Sequence, residues 1–92
     1  MILLYSKSFL ESVKKFPKNI QEKLFDQLEI FKQNPFHPFL YTKPLVERLI
    51  GFYSFRITRG WRVIFRFENK ETILLVEAGH RKDIYTSINK VI

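Results

Sequence analysis

Three arginines, Arg56, Arg62 and Arg66, alternate with aromatic and aliphatic residues in the segment GFYSFRITRGWRVIFRF, residues 51–67. A guanidinium group is planar, binds two phosphate oxygens at once and stays charged at any working pH. The alternation predicts a β-hairpin with one apolar face and one cationic face. The chemistry open to the cationic face is the binding and charge neutralisation of phosphate.

A second chemically capable pair, His80 and Arg81, follows a long apolar stretch. Histidine as a residue type titrates near neutrality, which suits it to general acid or base catalysis. A histidine at the end of a buried strand also serves as a structural hydrogen-bonding group, so both roles stay open for His80. His37, in a proline-rich loop, has a weaker claim to proton transfer.

The composition favours a polyanionic partner. The 92 residues include 16 basic and 9 acidic side chains, for a net charge of +7. Such an excess suits nucleic acid first, and a membrane surface or an acidic protein second. No apolar run is long enough to span a bilayer, so we expect no membrane association. Cysteine is absent, which excludes disulfides and thiolate metal sites and indicates a cytoplasmic protein.

The pattern along the chain predicts one domain over residues 1–92, in which one strand precedes two helices and the other strands follow them. A first strand covers Ile2–Tyr5. Ser8-Phe9-Leu10-Glu11 has the spacing of a capping box, and the helix that it opens ends at Pro17. A second amphipathic helix continues to Asn34 and folds back on the first. The loop at 34–45 contains three prolines and crosses to the sheet.

The register of the hairpin decides where the arginines point. A two-residue turn at Arg59-Gly60 would place Arg56 and Arg62 on opposite faces and would split the aromatic residues between core and water. A three-residue loop that ends with Gly60 in the left-handed conformation of a G1 bulge places Arg56 beside Arg62. We predict the second arrangement, because it keeps the apolar residues on one side.

The last strand, TILLVEAGH, is apolar enough on both sides to be central in the sheet. A tight turn before it would bring Glu77 close to Arg62. The two side chains could form a cross-strand ion pair, which contributes little if it is exposed. Whether they do so is left open by the sequence.

The order of these elements and five short stretches resemble the RelE/ParE superfamily of bacterial and archaeal toxins, on its RelE and YoeB side. The stretches are FLESVKKFP, NPFHP, KPL, GFYSFRITRGWRVIF and VEAGHRKDIY. The resemblance covers about the whole chain. It implies an α+β fold in which an N-terminal helical hairpin packs on one face of a curved, mainly antiparallel four-stranded sheet.

Superfamily members on the RelE side are mRNA endonucleases that act in the ribosomal A site, whereas ParE members poison DNA gyrase. The resemblance thus implies a type II toxin that cleaves mRNA by attack of a 2′-OH on the scissile phosphate, without a metal or cofactor. Such cleavage requires deprotonation of the 2′-OH, charge neutralisation on the phosphate and protonation of the departing oxygen. Two alternatives stay open: a gyrase poison, and an inactive domain that only binds its antitoxin.

The expected protein partner is the cognate antitoxin, encoded next door in this superfamily. Such toxins are wrapped by a partly disordered chain that folds as it binds. Because this chain has a net charge of +7, the binding segment of the antitoxin should be acidic. The second expected partner is mRNA in the ribosomal A site.

The resemblance carries five catalytic assignments onto Arg56, Arg62, His80, Arg81 and Tyr85. Arg62 and Arg81 are expected to hold the scissile phosphate, with Arg56 in support. For His80, the role of general acid or base and the role of structural hydrogen-bonding group both stay open. Tyr85 matches a catalytic or base-stacking tyrosine, and packing of the C-terminal segment on the sheet is its alternative role.

Four further residues are expected to contact RNA: Lys43, Ser54, Arg66 and Lys82. Two of them depart from the pattern, since Ser54 stands where RelE has a strand lysine and Lys43 stands where YoeB has a glutamate base. The general base is therefore unassigned. Glu47 and Glu77 are candidates, and geometry supplied by the ribosome is a further possibility, since proximity alone can lower a barrier by several kcal/mol.

Overall fold

The computed structural model of the chain describes residues 1–91. In that range the elements are β1 (Ile2–Tyr5), α1 (Lys7–Lys14), α2 (Lys18–Gln33), β2 (Lys43–Pro44), β3 (Tyr53–Arg56), β4 (Trp61–Phe67), β5 (Thr72–His80) and α3 (Ile84–Val91). Two 3₁₀ turns, Pro38–Leu40 and Glu47–Leu49, flank β2. None of the helices described is both long and apolar enough to cross a membrane.

The strands form one sheet in the order β1-β5-β4-β3-β2, with β1 parallel to β5 and the other neighbours antiparallel. The α+β fold is confirmed, and the predicted count of four strands is corrected to five. The additional strand is β2, whose two residues pair with Tyr53 and Ser54 of β3. So short a strand has no alternation to detect, and its proline is tolerated because β2 lies at the sheet edge.

Helix α1 begins earlier than the capping-box spacing predicted. Ser6 is the N-cap, and its Oγ accepts a hydrogen bond from the backbone N–H of Phe9 at 2.9 Å. Ser8 lies inside the helix, and its hydroxyl donates to Glu77 instead. The prediction of Ser8 as the cap was wrong because Ser6 offers the same chemistry directly after β1.

Helices α1 and α2 pack on one face of the sheet, as predicted. The ring of Phe31 on α2 lies 4.7 Å from that of Phe55 and 4.8 Å from that of Phe65, and all three are buried. Phe9 and Leu24 belong to the same core. Successive strand residues point to opposite faces of a sheet. The strand neighbours of Phe55 and Phe65 therefore point away from the two helices.

Helix α3 packs on that opposite face and was not predicted. Its buried residues Ile84 and Ile88 join Ile64 and Val76 in a second core. With eight residues, α3 is too short to give a clear helical period in the sequence. The face expected to be open and basic is therefore apolar where α3 covers it and cationic beside that helix.

A β-bulge interrupts the pairing of β4 with β5. Ile64 pairs with Glu77, yet the next residue, Phe65, pairs with Leu75, so one residue of β5 is unmatched. An unmatched residue breaks the alternation of side chains along the bulged strand. The face to which Glu77 points therefore does not follow from counting residues.

The bulge turns the carboxylate of Glu77 toward α1. There it accepts hydrogen bonds from the hydroxyls of Ser8 and Ser12 at 2.6 and 2.7 Å, and the side chain is only 3% exposed. Arg62 pairs instead with Gly79. The ion pair between Glu77 and Arg62 that the sequence left open does not form.

The register of β3 and β4 is the predicted one, since Arg56 pairs with Arg62. The predicted left-handed conformation of Gly60 is wrong, because its φ is not positive. The carbonyl of Trp61 closes the turn by accepting hydrogen bonds from the N–H groups of the two residues that follow Arg56, at 2.8 and 3.3 Å. This irregularity at the end of β3 takes the place of the G1 bulge.

Candidate functional site

Arg56 and Arg62 lie side by side on the face of the sheet away from α1 and α2. Their neighbours Phe55 and Val63 are buried in the core beneath those helices. Directly paired residues of antiparallel strands point to the same side, so the register fixes both guanidinium groups on one face. Each side chain is half-buried. We call these two residues the arginine pair.

The arginine pair has no carboxylate partner within residues 1–91. The ion pairs in that range join Lys7 to Glu11, Lys32 to Glu29 and Arg66 to Glu68. The Nε of Arg62 is buried and has no hydrogen-bond partner among the described residues. Like charges opposite each other destabilise a sheet, and an unpaired buried donor costs roughly 1–3 kcal/mol. An anion bound between the two groups would offset the repulsion between the like charges.

Arg81 is brought to the same end of the sheet. Its backbone N–H donates to the carbonyl of Gly60 at 2.8 Å, which connects the segment after β5 to the β3–β4 turn. Arg62 pairs with Gly79, two residues before Arg81. The side chain of Arg81 is exposed and takes part in none of the ion pairs of the described chain. A third cation is thus available near the arginine pair.

Tyr85 and Lys43 line a common cleft of about 370 Å³. The other walls are apolar and consist of Pro44, Leu45, Val46 and Leu49. Tyr85 lies on α3 and packs against the second core, which holds its ring in place. Lys43 is exposed at the edge strand β2. The fold therefore joins two residues that the sequence assigned separately.

The other residues expected to contact RNA have different surroundings. Ser54 is only 1% exposed beside Lys43, so a strand on the surface does not reach its hydroxyl. Arg66 is exposed, but its Nε donates to Glu68 at 3.1 Å, which neutralises part of its charge. Lys82 is exposed in the segment after β5.

His80 points to the face that carries α1 and α2, opposite Arg62. It pairs with Trp61, and the two rings meet edge to face at 5.4 Å. Its Nε2 lies 3.1 Å from where a Cβ would stand on Gly60. Its Nδ1 accepts a hydrogen bond from the backbone N–H of Lys82 at 3.2 Å. These contacts favour the structural role, and the fold does not bring His80 to the arginine pair.

The two carboxylates considered as a general base differ in access. All the polar contacts of Glu77 lie on the α1 side of the sheet, and one oxygen also accepts from the N–H of Ala78 at 3.0 Å. Glu47 is exposed and directly follows Val46, a wall of the cleft with Lys43 and Tyr85. Its φ of 58° is a left-handed conformation, which costs about 1–3 kcal/mol outside glycine.

Tyr41 lies beside the arginine pair, and the sequence did not predict it as a site residue. The guanidinium carbon of Arg56 lies 4.3 Å from the centre of the Tyr41 ring, a cation–π contact. The ring is 63% exposed. The prolines of residues 34–45 indicated a loop that crosses to the sheet, which gave no reason to expect an exposed aromatic ring in it. The only signal in the sequence was that Tyr41 lies two residues before Lys43, because side chains two residues apart in an extended segment point to the same side.

A family model described as the ParE toxin of the type II toxin–antitoxin system, parDE, matches residues 3–85. No curated protein matches the sequence significantly. The match covers every strand except the first residue of β1, and it includes all of the site residues described above.

Solved structures with the same fold include toxins alone and in complexes. The YoeB/ParE toxin from Agrobacterium tumefaciens aligns with a TM-score of 0.74 at 21% identity, over 88% of this chain and 99% of that chain. The RelB–RelE antitoxin–toxin complex from Methanococcus jannaschii gives 0.72 at 22% identity, over 91% and 96%. A heterotetrameric YoeB–YefM toxin–antitoxin complex from Staphylococcus aureus gives 0.72 at 20% identity, over 88% and 97%.

Proposed function

The chain belongs to the ParE toxin family of type II toxin–antitoxin systems, and we propose that it acts as a ribosome-dependent endoribonuclease on mRNA. Its fold is that of RelE- and YoeB-type toxins. In the proposed reaction a 2′-oxygen bonds to the adjacent phosphorus as the bond to the 5′-oxygen breaks. The proton of the 2′-OH leaves with a base, and the 5′-oxygen takes a proton from water.

The observation that supports this proposal is the arginine pair without a counter-charge. Two guanidinium groups, directly opposed across β3 and β4, suit the non-bridging oxygens of one phosphate. Neither guanidinium group takes part in an ion pair of the described chain. Donors fixed before the substrate arrives stabilise the charge that develops on a pentavalent phosphate.

In this mechanism Arg62 and Arg81 bind the scissile phosphate, and Arg56 supports them from the neighbouring strand. Lys43 adds positive charge at the cleft that it shares with Tyr85. Tyr85 orients the nucleotide there. Positioning of this kind can lower a barrier by several kcal/mol without a strong acid or base.

The base is assigned to a group at the same cleft. Glu77 is unsuited to the role of base, because its carboxylate is buried and bonded on the α1 side. Glu47 is the exposed carboxylate beside a cleft wall, and we propose it as the base. His80 is assigned a structural role.

The proposed protein partner is a cognate antitoxin. Two of the structures with the same fold are toxin–antitoxin complexes. The net charge of +7 favours an acidic binding segment. A segment that folds as it binds would suit the partly covered faces of so small a domain.

Gyrase poisoning is the second candidate function. The matching family model is that of ParE toxins, and the superfamily resemblance assigns gyrase poisoning to ParE members. That activity acts by protein binding and gives no role to a phosphate-binding arginine pair. We therefore rank it below RNA cleavage.

The experiment that separates these functions is inducible expression without antitoxin, followed by mapping of transcript 5′ ends. Cleavage predicts new ends at ribosome-occupied codons, in frame, within minutes of induction. Gyrase poisoning predicts DNA-damage induction with no such ends. Normal growth of the induced cells would contradict both and would support the inactive antitoxin-binding domain.

A further inference from the structure

A second cleft, of about 250 Å³, lies beside β3, past the end of β2. Its walls include Lys23 of α2, Phe39 and Tyr41 of the loop before β2, Arg56, and Arg59 of the β3–β4 turn. We propose that this cleft binds one nucleotide of single-stranded RNA, with the base stacked on an aromatic ring and the phosphate held by the cations. The proposal rests on the proposed function and extends the RNA site beyond the arginine pair.

The two aromatic rings are exposed although their loop is firmly held. Phe39 and Tyr41 are 66% and 63% exposed. The hydroxyl of Thr42 donates to the carbonyl of Pro35 at 2.6 Å, and the N–H of Phe39 donates to His37 Nδ1 at 3.1 Å. Tyr41 adopts a left-handed φ of 51°. A fixed loop that keeps two rings in water offers a stacking surface, and every base can stack on such a ring.

A buried amide connects opposite walls of the cleft. Gln27 is 5% exposed, and its Nε2 donates to the carbonyls of Phe39 and Arg56 at 3.3 and 3.0 Å. One side chain of α2 thus fixes both the aromatic loop and the end of β3. The cleft is formed before a ligand arrives, which reduces the ordering cost of binding.

The charges around the cleft favour an anionic ligand. Lys23, Arg56 and Arg59 take part in none of the ion pairs found in the described part of the chain. An acidic peptide would satisfy these cations but would leave the rings unused. A nucleotide uses both, because its base stacks and its phosphate binds cations.

The size of the cleft and the position of Arg56 agree with a single nucleotide. At about 250 Å³ the cleft lies just below the range of about 300–1,000 Å³ for drug-sized ligands, so it has room for one nucleotide at most. The guanidinium of Arg56 already lies over the Tyr41 ring at 4.3 Å, so one plane of a stack is in place. Arg56 also belongs to the arginine pair. A strand whose phosphate lies at that pair would place a neighbouring nucleotide in the cleft.

The test is RNA binding by the full chain, measured by fluorescence anisotropy with two probes. One is a fluorescein-labelled 2′-O-methyl hexanucleotide, which cannot be cleaved, and the other is an abasic hexamer with the same number of phosphates. Tyr41→Asn removes the ring, while asparagine tolerates the left-handed backbone. Phe39→Ala is the second variant. Phe25→Ala is the matched control, since Phe25 is 71% exposed on α2 and does not line the cleft.

The proposal predicts that the wild type binds the base-bearing probe more tightly than the abasic one. Loss of one stacking ring should weaken binding of the base-bearing probe by about 5- to 100-fold and leave the abasic probe unaffected. Phe25→Ala should bind both probes like the wild type.

Three results would overturn the nucleotide cleft: no preference of the wild type for bases, an equal effect of the ring variants on both probes, or no effect on either. If the ring variants instead bound a glutamate-rich peptide more weakly than the wild type does, the cleft would be assigned to an acidic protein. The probe cannot be cleaved, so this binding experiment does not depend on nuclease activity. Failure of the nuclease proposal would appear only in the mapping of transcript 5′ ends.

Discussion

Glu77 accepts a hydrogen bond from Ser12 at 2.7 Å on the face of the sheet opposite Arg62. The bulge in β5 is responsible, because it turns toward α1 the carboxylate that regular pairing would place near Arg62. One local irregularity therefore has two effects. It anchors α1 to the central strand, and it leaves a guanidinium group of the arginine pair available to an external anion.

Replacement of Glu77 tests the first effect. Glu77→Ala should lower the free energy of unfolding by about 1–3 kcal/mol or more, since two hydroxyls and a backbone N–H lose their acceptor. Urea unfolding measures the change. The fraction that remains folded should cleave RNA at a rate close to that of the wild type. Unchanged stability with cleavage slowed 100-fold would instead identify Glu77 as a catalytic group.

Replacement of Arg62 tests the second effect. Arg62→Met keeps most of the side-chain volume and removes both the charge and the unpaired Nε. We expect the free energy of unfolding to stay constant or to rise by about 1 kcal/mol, while toxicity is lost. Thermal unfolding and growth after induction give the two readouts. Destabilisation by more than about 2 kcal/mol would mean that Arg62 is held by contacts that stabilise the fold.

His80 provides a test of the two roles that the sequence left open. Since its ring faces Trp61 and not the arginine pair, His80→Gln should cleave RNA within a few-fold of the wild-type rate. Removal of a true general acid or base typically slows a reaction by about 10²- to 10⁴-fold. Cleavage assays across a pH series would show such a loss directly, and its appearance would restore the catalytic assignment.

The dependence of RNA binding on salt should report how many cations touch phosphate. For single-stranded nucleic acid, the logarithm of affinity falls with the logarithm of salt concentration by about 0.7 per phosphate contact. Arg56→Met and Arg62→Met should each reduce this slope by about 0.7. Arg66→Met should reduce it less, because Glu68 already neutralises part of that charge. Slopes equal to that of the wild type for Arg56→Met and Arg62→Met would show that RNA does not lie along the arginine pair.

Much of the frame could be predicted from alternation alone. The pairing of Arg56 with Arg62 follows from the requirement that Phe55 and Val63 share one buried face. The helical hairpin follows from its apolar period and from Pro17. These features depend on neighbours in the sequence, which is why the pattern contains them.

What the sequence did not predict depends on irregular backbone and on long-range packing. The bulge beside Glu77 leaves no mark in an apolar strand, and α3 is too short to show its period. The two residues of β2 form a strand only because β3 offers an edge. Tyr41 meets Arg56 because Gln27 holds the loop and β3 together, a contact between three separate segments.

Single-turnover cleavage of mRNA on programmed ribosomes, with purified Arg62→Met and Arg66→Met variants, tests the role of the arginine pair most directly. Loss of a donor aimed at developing charge typically slows a reaction by about 10²- to 10³-fold. We predict a loss of that size for Arg62→Met and a change of less than a few-fold for Arg66→Met, both at saturating protein. Wild-type rates for Arg62→Met, or an equal loss in the two variants, would contradict a phosphate site at the arginine pair.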